Sequence, residues 1–455
     1  MIKNKDIIEL KINSLTYEGA GIGRHDGMAV FVDDVIDGDL IKAEIISVKK
    51  NYAKAKLIEI VEPSPHRVEP FCALAKVCGG CNWQHITYDH QLEAKRKIVE
   101  ETVKRIAGLD VEVKNVIPSP DIKEYRCKIQ LPARQTKVSK RFLSGYFKKK
   151  SHEIVNIKFC PIQPPIINEI TEFIKEKAQL LELSAYDEKK HTGVLRHIVF
   201  KYSSTFKNIL LVLVINETDI PQNIETLARY IQEKYSCITG IAANFNTSKG
   251  NVILGSEFKA IFGKNYIEEN LKGRKYKISA GSFFQVNPES AVNIFDTVEQ
   301  VIKDNFQGKF TVLDAYSGVG SFSIWLKDLA SEIVAIEECP QAVCDAKDNL
   351  NLNNVDNITL LQGDAQNIMD ELLNKGDFFD AVIIDPPRKG CSEKALEAIS
   401  KLAKKLIIYV SCNPATMARD IKFLYQKGFV PEYVQPVDMF CHTYHVESVV
   451  VLKKY

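Results

Sequence analysis

VLDAYSGVGSFS, residues 312–323, sets a carboxylate at the end of an apolar run and follows it with a loop of small residues. The run reads as a buried strand and the segment after the loop as the start of a helix. Gly318 and Gly320 allow the backbone to approach a ligand closely. The same alternation continues downstream. EIVAIE precedes PQAVCDAKDNLNLN, then come ITLLQGD, AVIIDPPRKG and KLIIYVSCNP, with QPVDMF and SVVVLKKY closing the chain. Apolar strands separated by helices predict a parallel, doubly wound sheet from about residue 275 onward.

The loops of this expected sheet carry a pattern of their own. The second strand ends in Glu337, placed to accept both hydroxyls of a ribose. GDA (363–365) supplies Asp364, suited to an adenine edge, and the fourth strand ends in DPPRKG (385–390). A nicotinamide dinucleotide is the competing ligand. Its pyrophosphate wants the third glycine of G-x-G-x-x-G, which SGVGS lacks. A nucleoside without phosphates does not need it, so the expected ligand is S-adenosylmethionine (SAM).

DPP at this place resembles the (D/N)PP(F/Y) motif of amine-directed methyltransferases, but Arg388 stands where those carry an aromatic residue. That argues against an amino acceptor and leaves carbon or oxygen. YVSCNPATM (409–417) puts Cys412 between a strand and an Asn-Pro turn. Pyrimidine C5 is too weak a nucleophile to attack a sulfonium methyl unaided. A thiolate adding to C6 makes C5 electron-rich, and a base later removes the C5 proton. This chemistry asks for a thiol of lowered pKa and a separate carboxylate. In DMFCHTYHVESVVV (438–451), Glu447 enters an otherwise apolar strand. Alone it reads as an edge carboxylate facing water; beside Cys412 and DPP on one sheet it reads as the base. His442 and His445 are expected to shape the site or meet phosphate.

At 455 residues the chain calls for two to four domains. It has no run of eighteen apolar residues, and MIKNKDIIELKINS lacks the apolar segment of a secretory signal. The expectation is a cytoplasmic protein with no membrane span. Residues 1–62 alternate in short segments, predicting a small five-stranded β-barrel, with the glycines of GAGIGR at turns. Residues 63–275, opened by the Pro-rich EPSPHRVEP, read as a central α+β domain, and residues 276–455 as the SAM domain, making a multidomain α/β protein. The net charge of +2 leaves nucleic-acid binding to local patches such as KKNYAKAK (49–56), EAKRK (93–97) and ARQTKVSKRFLSGYFKKK (133–150). The last interleaves aromatics with basic residues, as RNA binding requires; a solvated charged loop is the plainer reading of any one patch.

Eleven cysteines without an export signal predict thiols, not disulfides. Cys72, Cys78 and Cys81 form a tight trio around Gly-Gly, and Cys160, followed by proline, is the best fourth ligand. Four thiolates suit zinc or a [4Fe–4S] cluster; a single C-x2-C pair leans toward iron–sulfur without deciding it. Cys237, Cys339, Cys344 and Cys391 are expected to be packed or incidental.

Taken together, SFFQVN (282–287), VLDAYSGVGSF, DPPRKG, YVSCNP and DMF-HT-HVE resemble the RNA uracil-C5 methyltransferases, which make 5-methyluridine in 23S rRNA and tRNA. The resemblance covers nearly the whole chain, and the N-terminal barrel looks like the family's TRAM-type RNA-binding domain. It implies Cys412 as nucleophile, Glu447 as base, and Gln285, Tyr316, Glu337 and Asp385 as cofactor-pocket positions. The 23S rRNA branch carries a [4Fe–4S] cluster on the same C-x5-C-x2-C plus distant cysteine pattern. The resemblance therefore implies that cluster on Cys72, Cys78, Cys81 and Cys160, and 23S rRNA as the partner of a monomeric enzyme. Two alternatives stand beside it: the same chemistry on tRNA or cytosine, and a non-catalytic RNA-binding assembly factor. Cys441 and Cys127 replace the family's usual proline and asparagine. Phe283 or Phe284 is a candidate to stack on the base, against core packing, and Arg126 to hold a phosphate.

Overall fold

The computed structural model describes residues 2–455. Strands Ile7–Leu15, Gly21–His25, Met28–Val32, Leu40–Val48 and Tyr52–Glu62 close into a barrel. Its interior follows from period-2 alternation: Ile8, Leu10 and Ile12 point inward with Val30, Val32, Ile41 and Ala53. One expectation needs correcting. Gly19 does sit in a turn, but Gly21 and Gly23 lie within a strand. A Cβ at Gly21 would come 2.4 Å from Val35, and one at Gly23 2.4 Å from the Lys11 carbonyl, so these two glycines serve close packing.

A seven-stranded mixed sheet follows, with Ile238–Phe245, Ile209–Ile215, Leu195–Tyr202 and Lys128–Gln135 at its centre. Helices Pro165–Leu180 and Gln222–Lys234 pack together over one face, around Ile170, Ile174, Leu227 and Ile231. The other face, through Val199, Leu210 and Val212, shares a core with hairpin Tyr266–Leu271/Arg274–Ser279 and helix Pro288–Asn305.

The third part is an eight-stranded sheet. Strands Ile358–Gln362, Glu332–Glu337, Thr311–Asp314, Phe379–Ile384 and Ala403–Ser411 run parallel in that spatial order, each almost wholly apolar. Glu447–Lys454 lies antiparallel beside the last of them. Chain order reverses between Thr311–Asp314 and Phe379–Ile384, which opens a crevice beyond their carboxyl ends where ligands bind in such sheets. Residues 88–113 join this part too. Helix Tyr88–Thr102 packs on helix Pro414–Gln426, and Glu112–Val113 extends the sheet beside Phe429–Val437. Among the described residues no helix is long and apolar enough to cross a membrane.

Candidate active site

The crevice begins at Asp314. Its buried carboxylate accepts bonds from Ser323 N (3.2 Å) and Oγ (2.7 Å), which pins the turn into helix Ser321–Trp325. Gly318 and Gly320 both take positive φ there, a conformation costly for other residues. Burial pushes Asp314 up to about 6. Glu337 leans into the same loop: Oε2 accepts Gly318 N at 2.9 Å and Oε1 accepts Cys339 N at 2.7 Å. Each oxygen keeps a lone pair for a hydroxyl donor. Tyr316 follows the strand, its hydroxyl 3.7 Å from Cys391 Sγ. Asp364 has a task the sequence does not reveal. It caps helix Ala365–Lys375 by accepting Asn367 N at 3.0 Å through Oδ1.

Cys412 and Glu447 meet across the neighbouring strand pair. Ser411 pairs with Ser448, so Cys412, just past one strand, and Glu447, the first residue of the other, come side by side at the crevice end. Asn413 turns the chain into the next helix by accepting Ala415 N, and its Nδ2 donates to the Arg388 carbonyl at 3.2 Å. Thr416 Oγ1 donates to the same carbonyl. The YVSCNP and DPPRKG loops are thereby tied together, with Asp385 at the end of strand Phe379–Ile384.

The electrostatics of this group are tightly mutual. Burial, then the charge of Asp385, pushes Glu447 up to about 8, while Arg388 pulls it down. Burial and the charge of Asp314 push Asp385 up to about 7. Burial, then the charge of Glu447, pushes the Cys412 thiol up to about 11, against the pull of Arg388. The expectation of a low-pKa thiol is therefore wrong for the free protein: an apolar wall and two carboxylates outweigh one guanidinium. Arg388, which sequence reading treats only as a departure from an aromatic motif, is the cation shared by the group. Its place directly after DPP was the available signal.

The segment leading to Glu447 is held from below. Asp438 is fully buried and accepts Lys95 Nζ (2.6 Å), the Tyr88 hydroxyl (2.9 Å) and Phe440 N (3.1 Å). Asn287, closing SFFQVN, donates to Ser119 Oγ and the Met439 carbonyl. His442 is locked between Gln91 and the Ile122 carbonyl and driven neutral by burial, down to about 4. His445 is likewise pushed down to about 4, first by burial and then by Arg388. Gln285 lies in a neighbouring pocket with Lys128, Lys201 and Glu269. Lys201, buried and pushed down to about 7, donates to the carbonyls of Ser279 (2.5 Å) and Ser282 (2.6 Å) and so fixes the SFFQ loop. That loop exposes Phe283 (59%) and buries Phe284 (8%) against Tyr276, which separates a free ring from a core ring.

Cys72, Cys78, Cys81 and Cys160 line one pocket of about 110 Å³, together with Arg126 and Tyr146. Burial pushes Cys81 up to about 12 and Cys160 up to about 11, and the charges of neighbouring thiols add to both. Among the described residues, no group of three or more His, Cys, Asp or Glu stands at metal-ligand spacing. The donor chemistry suits an iron–sulfur cluster and the four cysteines line one pocket, as free thiols in this structure.

Residues 87–455 match the profile of a family described as tRNA (Uracil-5-)-methyltransferase, and residues 3–58 that of the TRAM domain. An uncharacterised RNA methyltransferase of Halalkalibacterium halodurans is 37% identical over 99% of this chain and 98% of its own length. One from Caldanaerobacter subterraneus subsp. tengcongensis is 38% identical over 100% and 99%. Among solved structures, the Pyrococcus abyssi tRNA (uracil-54, C5)-methyltransferase in complex with S-adenosyl-L-homocysteine superposes with a TM-score of 0.77 at 30% identity, covering 98% of this chain and 100% of that one.

Proposed function

The chain belongs to the tRNA (uracil-5-)-methyltransferase family, and from that premise we propose that it methylates uridine C5 in 23S rRNA through a covalent bond between Cys412 and C6. The carrying observation is the convergence of Cys412, Glu447 and Arg388 at one end of two paired strands. SAM is the methyl donor. Glu337 faces its ribose, Asp364 the adenine edge with the oxygen not used for capping, and Tyr316 and Asp385 complete the pocket, which Gln285 approaches from the neighbouring one.

The steps balance as follows. The Cys412 thiol releases its proton to solvent, leaving Glu447 unprotonated, and the thiolate sulfur bonds to C6. The C5=C6 electrons move toward C4–O4, leaving an enolate with C5 nucleophilic. C5 takes the methyl group as the S–CH3 bond breaks, and S-adenosylhomocysteine departs. Glu447, ionised, removes the C5 proton; those electrons restore C5=C6 and expel the Cys412 thiolate. A thiol near 11 is activated only in the loaded site, where Arg388 favours the thiolate. The target base leaves its stack to reach this crevice, and exposed Phe283 with Lys128 above its ring offers it a surface.

The barrel and the central sheet bind RNA. Cys72, Cys78, Cys81 and Cys160 would hold a [4Fe–4S] cluster that braces the central part; methyl transfer moves no electrons and needs none from it. A tRNA uridine is the second reading, favoured by the full-length likeness to the Pyrococcus abyssi enzyme, whose name specifies tRNA. Incubation with methyl-labelled SAM and either rRNA or tRNA, followed by digestion to nucleosides, decides between them. Label in 5-methyluridine from rRNA is expected; label from tRNA alone overturns the substrate, and no label in 5-methyluridine overturns the function.

A further inference from the structure

Away from the Cys412 crevice, a second pocket of about 110 Å³ opens on the central sheet, walled by Arg134, Phe147, His152, Tyr186, Arg196 and His197. Arg196 is its unusual member. Only 3% exposed, it has no carboxylate partner among the described residues. Its Nη1 donates to the Asn246 carbonyl (2.6 Å), Asn246 Oδ1 (3.3 Å) and the Ser248 carbonyl (2.8 Å), all neutral acceptors. Its Nε finds no partner, and its guanidinium lies 4.2 Å over the Tyr186 ring. A buried cation is ordinarily paired with an anion.

The surroundings do not supply one. His197 Nδ1 is also buried without a partner, and burial with the charge of Arg196 keeps that ring neutral, near 4. Arg134 donates to the His152 carbonyl (3.3 Å), and the carboxylate on this wall, Glu188, lies 3.4 Å from His152. The pocket thus holds two guanidiniums and an aromatic rim, with the unpaired Arg196 Nε and His197 Nδ1 buried behind its wall. That combination fits a phosphate attached to a planar ring. Its wall is also built from the basic and aromatic stretch 133–150.

We propose that this pocket binds one nucleotide of the RNA substrate remote from the target uridine, with phosphate on Arg196 and Arg134 and the base against Phe147. The inference rests on the RNA methyltransferase reading. Arg196 and Tyr202 mark opposite ends of one strand, and Tyr202 lines the pocket of Gln285. At ~3.3 Å per residue Arg196 and Tyr202 stand roughly 20 Å apart along the strand, so the second pocket is a separate anchor for a folded RNA.

Arg134→Ala and Phe147→Ala test this at the rim, and Arg196→Met at the base, in the full-length protein. Filter binding of unmodified 23S rRNA and tRNA transcripts gives Kd at several salt concentrations; kcat at saturating RNA and KM for SAM are measured alongside. Each rim variant is expected to weaken binding of the RNA that is methylated by about tenfold, with kcat and the KM for SAM unchanged. Arg134→Ala should also lower the salt dependence by about one phosphate contact. Wild-type affinity in both rim variants overturns the proposal. A wild-type protein that binds RNA yet methylates none would sink the functional reading while leaving this pocket's test intact.

Discussion

Glu447 is a carboxylate that the fold makes hard to ionise, and its reactivity follows from that. As the base for C5 it must be unprotonated, so turnover should rise with pH through about 8. Arg388 lowers both Glu447 and Cys412, so Arg388→Met should move that midpoint upward; an unmoved pH–rate profile would detach Arg388 from the pair. The same shift has a stability consequence. Between its ordinary value of 4.5 and about 8, the folded protein keeps a proton that the unfolded chain has released. Its contribution is therefore present at low pH and lost as pH rises through about 8. Glu447→Gln removes that loss, so its Tm relative to wild type should be more favourable near pH 9 than near pH 5, by a few degrees in a thermal scan. At this scale the places of Cys412 and Glu447 at the ends of apolar strands were legible in the sequence, because a polar residue bounding an apolar run is conspicuous. The sequence misled on the thiol's acidity, which depends on burial and on Glu447, Arg388 and Asp385, brought in from another strand and another loop.

Lys95 shows what an element hides. EAKRK reads as a solvated basic patch, yet Lys95 is fully buried against Asp438, 343 residues away. No local periodicity announces such a partner. Through this contact helix Tyr88–Thr102 supports the segment 438–446 that ends at Glu447. Lys95→Met should cost on the order of 3–5 kcal/mol in urea denaturation, because it strands a buried carboxylate. Adding Asp438→Asn should recover much of that loss. The central parallel strands were legible, because burial on both faces keeps their middle residues apolar, whereas the edge strand Ile358–Gln362 is only partly covered. Asp364 was legible as an acid after a strand but not as a helix cap, and Gly21 and Gly23 were misread because their neighbours Val35, in a loop, and Lys11, on another strand, are remote from them in sequence.

Across the whole molecule the parts lean on one another near the active site. Lys149 and Lys150 pair with Asp34 and Asp33 of the barrel, and Gly19 of the barrel packs against Tyr444 in the segment leading to Glu447. The cysteine pocket is fastened to the same basic hairpin, with Gly79 N donating to the Phe147 carbonyl. Cys78→Ser is therefore expected to lower solubility and RNA affinity, measured by filter binding, while SAM affinity by calorimetry stays at the wild-type value. The five-stranded barrel was visible in the sequence as short alternating segments; the return of residues 88–113 to the last sheet was not, since it is a long-range pairing with Phe429–Val437. The proposed sulfur–pyrimidine bond is tested most directly by incubating Glu447→Gln with substrate RNA and SAM, then digesting with nuclease and protease and weighing the peptides. The account predicts a methylated nucleotide attached to the peptide containing Cys412, since C5 keeps its proton and the sulfur cannot leave. Free 5-methyluridine with an unmodified Cys412 peptide would contradict it.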